Sequence, residues 1–212
     1  MNKSEFDPES CYVFTRARTL PLLPRNPDDY IVWHDSELRA PDGDDKPDEE
    51  EPRQLVAKAT WALVKCSSAV NDEEPLFDVF DADSQEMLSV YETIIDSDDG
   101  SFRAFEGWGD LLYFQGIEVQ PAFDTREVSR EFIDHVLRYS GSCCGAVFIF
   151  GVHDRPELRD AFVDRGFAKF QQLDDMEFYT LDLALKIPPL PPLARDRAEV
   201  RELKASFTKR RK

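Results

Sequence analysis

Long apolar runs, histidine and positive charge are what this chain has least of. No stretch approaches the roughly 18 apolar residues that a membrane-spanning helix needs, and the start, MNKSEFDPES, lacks the basic-then-apolar layout of a secretion signal. The expectation is a soluble protein of cytoplasmic location with no membrane partner. Four cysteines are present: Cys143 and Cys144 are adjacent, while Cys11 and Cys66 are remote. That spacing suits neither a disulfide framework nor a zinc site, so they read as small packing residues. There are only three histidines, His34, His135 and His153, and a Ser or Cys triad has little to draw on. Gly-x-Ser-x-Gly and the Gly-rich loop of nucleotide hydrolases are both missing.

Lysine and arginine total 26 against 43 aspartates and glutamates, a net charge of −17. General nucleic-acid binding needs clustered cations and is excluded on that ground; basic partners, a basic protein among them, are favoured. The charge is uneven. PDGDDKPDEEEP, residues 41–52, is an acidic Pro-rich linker expected to be mobile, whereas ARDRAEVRELKASFTKRRK at the C-terminus is basic.

What is present is a chain of 212 residues, enough for one domain with extensions and a real core. CYVFTRA and YIVWH read as short strands, separated by a Pro-rich stretch that forbids a regular helix. LVAKATWALVKC is β-rich, and LFDVFDA, residues 76–82, reads as a further strand. SQEMLSVYETII carries Met87, Val90, Tyr91, Ile94 and Ile95 at helical spacing, with Asp83 and Glu86 placed like a capping box. GDLLYFQGIEV (109–119) and GAVFIFGV (145–152) are apolar on both faces, as central strands are when helices cover both sides. Between them Val128, Phe132, Ile133, Val136 and Leu137 form one helical face. HDRPELRDAFVDRGF has Asp154 as a cap, Pro156 in the first turn and Gly166 to end the helix, and AKFQQLDDMEFYTLDL closes with two short strands.

The order implies an α/β fold, a mixed sheet flanked by helices with N-terminal and C-terminal extensions. The expected division is an N-terminal segment at 1–53 containing the acidic linker, a domain at 54–183, and a Pro-rich then basic tail at 184–212.

LLYFQGIEVQPAFDTREVSREFIDHVL resembles the strand, V-x-P-x-Y-R-G-x-G-x-G/A turn and helix of the GCN5-related N-acetyltransferases (GNAT), and LRDAFVDRGFAKF is similar to that family's helix ending in Gly-Phe. The resemblance covers roughly residues 54–183 and implies acetyl-CoA as the acyl donor and an amine as the acceptor, with the acidic balance favouring a cationic one. It implies that Ile117 and Val119 offer backbone to the pantetheine arm, and that Asp124, Thr125, Arg126, Glu127, Val128, Ser129 and Arg130 lie at the pyrophosphate. Tyr113 and Gln115 occupy the strand positions that point at the amine, and His153 and Asp110 are the nearest further titratable groups.

The chemical positions depart from the family's pattern. Asp124 stands where the family has Arg, Thr125 and Glu127 stand at glycine positions, and only Ser129 is an easy substitute for a small residue. Asp124 and Glu127 have capping-box spacing, so the turn is expected to fill its own anion site, with Arg126 and Arg130 offsetting the charge in part. Phe162 stands where many members have a proton-donating Tyr. Two readings stay open: an N-acetyltransferase, and an inactive binding or regulatory protein on the same fold.

Overall fold

The computed structural model describes residues 11–18, 26–40, 54–96, 100–105, 109–139, 143–151 and 156–183. The acidic run 41–52, His153, Asp154 and the tail at 184–212 lie outside them. The strands are β1 Tyr12–Ala17, β2 Ile31–Ala40, β3 Gln54–Val64, β4 Asp110–Val119, β5 Cys143–Gly151, β6 Ala168–Leu173 and β7 Met176–Asp182. The helices are α1 Cys66–Asn71, α2 Leu76–Asp83, α3 Gln85–Ile94, α4 Arg126–Tyr139 and α5 Pro156–Asp164. One seven-stranded sheet runs in the order β1-β2-β3-β4-β5-β7-β6. Every pairing is antiparallel except β4 with β5. Two of its strands, β1 and β2, come from the first 53 residues, so the sheet extends beyond the segment 54–183. No described helix is long and apolar enough to cross a membrane.

Helices cover both faces of the sheet, which is why the central strands carry no polar alternation. Leu112 and Phe114 of β4 and Ala146 and Phe148 of β5 pack with α4 and α5. Leu111, Tyr113 and Val147 pack on the other side with α1, α2 and α3. The helical face read from Val128, Phe132, Ile133, Val136 and Leu137 is buried throughout.

The segment 76–82 is helical rather than extended. Leu76, Val79 and Phe80 are buried while Asp78 is exposed. In a strand Leu76, Asp78 and Phe80 would share one face and drag the carboxylate inside; helical i, i+3, i+4 spacing leaves it in water. The cap of α3 also differs from the expected Asp83 and Glu86 pair. Ser84 is the N-cap, its hydroxyl accepting the Met87 N–H at 3.2 Å. Asp83 instead accepts the Trp33 indole N–H at 2.7 Å, and Glu86 reaches across to β4. Gly166 ends α5 with φ +92°, the left-handed conformation its position required.

Cys66, Cys143 and Cys144 are buried at the start of β4 and β5, where burial pushes the Cys143 thiol up to about 12 and that of Cys144 to about 11. They stay protonated packing groups. Asp110 is likewise structural, its carboxylate accepting the Ser67 N–H at 3.0 Å in the first turn of α1.

Gly145 is required by packing: a Cβ there would lie 2.5 Å from the Phe105 ring. Gly145→Ala is expected to cost about 1–3 kcal/mol, the usual range for overpacking. Urea unfolding measures it, and Phe105→Leu combined with Gly145→Ala should recover part of the loss.

On α4, Asp134 is buried beside Arg165, which donates to it from the end of α5, with Glu131, Arg130 and Arg138 around it. Burial pushes its carboxyl up to about 6 from 3.8, with Arg165 opposing the shift. A folded-state value above the unfolded one means that protonation favours the fold. The contribution is complete below about 3.8 and is lost as pH rises through about 6. The melting temperature of wild type relative to Asp134→Asn should therefore rise as pH falls from about 7 to about 4; a flat difference would contradict the burial account.

Candidate functional site

The parallel pairing of β4 with β5 runs from Asp110 with Cys143 to Phe114 with Phe148 and then stops. Beyond that point β4 stays with β3, up to Val119 opposite Ala57, while β5 stays with β7, up to Gly151 opposite Met176. The backbone edges of 115–119 and 149–151 therefore no longer satisfy one another, and the sheet opens into a fork. A β-bulge sits at the branch. Trp61 faces Phe114 but Thr60 faces Gly116, so Gln115 is the extra residue of β4. Such an insertion bends and twists its strand and re-aims a side chain.

Gln115 is re-aimed toward α3, where its amide donates to Glu86 Oε2 at 3.3 Å. Tyr113, two residues earlier on the same side, donates its hydroxyl to Glu86 Oε1. Trp33 packs edge-on to the Tyr113 ring at 6.1 Å. Burial first, and then the Glu86 charge, raise the Tyr113 phenol well above its ordinary value. It is a fixed donor and has no capacity as a base. The structure thus brings the two strand residues expected at the amine, Tyr113 and Gln115, to one carboxylate that sequence reasoning placed only in a helix cap. Glu86 is half-buried. An acidic residue in the first turn of an amphipathic helix was its only signal, and that signal has an ordinary structural meaning.

On the opposite face, the base of the fork is aromatic. Phe162 of α5 stacks flat on Phe148 with ring centroids 3.9 Å apart, and meets Phe114 and Phe167 edge-on at 5.1 and 5.0 Å. Phe162 is fully buried. Packing occupies the place where the resemblance implies an acid.

Beyond the fork, Val119 leads into a short 3-10 turn, Pro121–Phe123, and then into α4. Ile117 and Val119 bury their side chains on the α4 and α5 side and leave their backbone along the fork edge. The helix begins one residue later than the capping box expected of Asp124 and Glu127 places it. Asp124 lies in a tight turn with φ −69° and ψ 87°, closed by the Thr125 N–H to the Phe123 carbonyl at 2.8 Å. The first helical residue is Arg126, so Thr125 is the cap, and its hydroxyl accepts the Val128 N–H at 3.3 Å. The γ-turn at Asp124 shifts the helix start by one residue. Glu127 is exposed, while Val128 and Ser129 are buried. Arg126 forms a two-point salt bridge with Asp164 at the end of α5. Arg130 lies 3.9 Å from Glu131. The cations at the turn are thus shared with carboxylates of this chain.

No family model matches the chain, and no curated protein sequence does. Among solved structures it is similar to Arabidopsis thaliana NAA60 in complex with acetyl-CoA, at 16% identity over 70% of this chain and 76% of that one, with a TM-score of 0.42. It is similar to the NatC complex bound to Gag peptide and CoA, at 9% identity over 70% of each chain and a TM-score of 0.34. An arylalkylamine N-acetyltransferase 7 from the yellow fever mosquito is similar at 12% identity, over 70% of this chain and 64% of that one, with a TM-score of 0.36.

Proposed function

We propose that the protein is an N-acyltransferase that moves an acetyl group from acetyl-CoA to an amine acceptor. The observation that carries this reading is the fork between β4 and β5. Its two strand edges, at 115–119 and 149–151, suit an extended chain bearing amide groups, such as a pantetheine arm, because strand edges bind extended chains through their backbone. At the far end, Thr125 caps α4 with a neutral hydroxyl, and the positive end of the helix dipole faces the pyrophosphate. Asp124 and Glu127 oppose that anion by roughly 1 kcal/mol per charge at 4 Å in water-like surroundings.

At the bulge, Glu86 is the proton acceptor. Tyr113 and Gln115 donate one hydrogen bond to each of its oxygens and hold its orientation, leaving lone pairs for an amine. A neutral amine attacks the thioester carbonyl carbon. The C–N bond forms, the amine proton passes to Glu86, and the C–S bond breaks with the electron pair leaving on sulfur. Phe162 has no proton to give, so the thiolate departs unprotonated, as an alkyl thiol with an ordinary value near 8.5 permits. Forgoing a general acid costs about 10²–10⁴ in rate without abolishing transfer, since proximity supplies much of the acceleration. A cationic acceptor is held by the same carboxylate and releases its first proton to solvent before it attacks.

A second reading, a binding or regulatory protein on the same fold, is favoured by one observation: the stacked, fully buried Phe162 at the acid's place. Turnover separates the two. Acetyl-CoA at about 100 times its Kd should stabilise wild type and Glu86→Gln alike, by ~2.7 kcal/mol in a melting experiment. Acetyl transfer should fall ~10²–10⁴-fold in Glu86→Gln. No stabilisation by acetyl-CoA would overturn the acyltransferase reading, and stabilisation without turnover by wild type would leave the binding protein. Because Thr125 holds the cap, Thr125→Ala should cost ~1 kcal/mol of stability. Glu127→Gly should instead tighten acetyl-CoA in calorimetric titration by removing a carboxylate from the turn.

A further inference from the structure

The inference concerns the acceptor and rests on the acyltransferase reading. The helices α1, α2 and α3 cover only part of their face of the sheet, the part built on Ile31, Ala62, Val64, Leu111 and Tyr113. Past Tyr113 the same face of β1 to β4 holds a groove of about 820 Å³, which begins at Gln115 and Gly116 of the bulge and ends at Phe14 and Arg16 of β1. Phe14 is 50% exposed there. The groove is therefore continuous with the place where the acyl group would be delivered.

Its charges are arranged rather than scattered. The two carboxylates in the middle are already neutralised: Asp35 takes two hydrogen bonds from Arg18 at 2.7 and 2.6 Å, and Glu37 takes two from Arg39 at 2.8 and 2.6 Å. At the β4 end the uncommitted charge is negative, with Glu118 exposed beside the bulge and Glu86 above Gln115. Toward β1 it is positive. Arg16 stands exposed at the far end with no ion-pair partner among the described residues, while Lys58 of β3 lies opposite Glu118 and 3.9 Å from Glu37. From β4 to β1 is three interstrand steps, about 14 Å at ~4.8 Å each, or about four residues of extended chain at ~3.3 Å.

We propose that this open face is the acceptor groove, and that it takes an extended, peptide-like chain whose amine lies at Gln115 and whose acidic group meets Arg16. The neutral centre accepts the uncharged backbone, and Thr60 of β3, whose hydroxyl bonds Asp35, adds a polar contact along the path. A polyamine or an oligolysine satisfies the β4 end and is repelled by Arg16, so the acceptor is cationic at its amine end only. Like charges brought together across an interface cost affinity, and opposite ones set register.

Calorimetric titration of the full chain tests this with two C-terminally amidated probes, Ala-Ala-Ala-Glu and Ala-Ala-Ala-Lys. The acidic probe should bind about tenfold more tightly, and Arg16→Glu should reverse the order. Arg16 is exposed on an edge strand, so the melting temperature of the variant should match wild type. In acetyl-transfer assays with the acidic probe, Arg16→Glu should raise KM and leave kcat unchanged. Equal affinities for the two probes, no binding of either, or an order unchanged in Arg16→Glu would overturn the groove assignment even where acetyl-CoA stabilises the protein. The expected probe order without any stabilisation by acetyl-CoA would sink the transferase reading and leave a peptide-binding groove.

Discussion

The parting of β4 from β5 after Phe114 and Phe148 is the constraint on which the rest of the structure depends. A strand follows the neighbour with which it keeps its hydrogen bonds. The extra residue at Gln115 turns β4 along β3, while an unbroken antiparallel ladder keeps β5 with β7. Once the two diverge, their facing backbone groups need another partner. The same bulge swings Gln115 toward α3 and Glu86. The opening in the sheet and the polar cluster beside it therefore have one cause.

The two faces of the fork are opposite in character, and each is supplied by one half of the helices. On the α4 and α5 side, Phe114, Phe148, Phe162 and Phe167 form an interlocked aromatic cluster that fixes the branch point by packing. A tyrosine hydroxyl at Phe162 would have to find a partner inside that cluster, so packing and proton donation compete for one position. On the α1, α2 and α3 side, Tyr113, Trp33, Glu86 and Asp83 are joined by hydrogen bonds between sheet and helix. The polar groups are concentrated on that side, together with the groove.

The net charge of −17 gives little guide to the local field. Salt bridges cancel charge locally: Arg18 with Asp35, Arg39 with Glu37, Arg126 with Asp164, Arg165 with Asp134. What remains along the groove is a dipole from Glu118 and Glu86 to Arg16, and it is this arrangement, rather than the total, that would select an acceptor.

The sequence by itself determined the alternation from β4 through α4 and β5 to α5 and the two closing strands, because doubly apolar strands and one-sided apolar helices have different periods. Gly166 and the buried face of α4 were legible for the same reason. Residues 76–82 were not, since a short apolar run scores alike in both periods until it is known which face Asp78 must avoid. The helix start at Arg126 depended on a single turn at Asp124, which decided between Thr125 and two carboxylates that local spacing had favoured. Only the tertiary structure could add Glu86 to Tyr113 and Gln115, or align Arg16 with Gly116 across four strands. Those groups are far apart along the chain, and a carboxylate in the first turn of a helix carries no mark of the strand it will touch. Periodicity is a local property and survives in the sequence; the meeting of distant side chains is set by how sheet and helices pack.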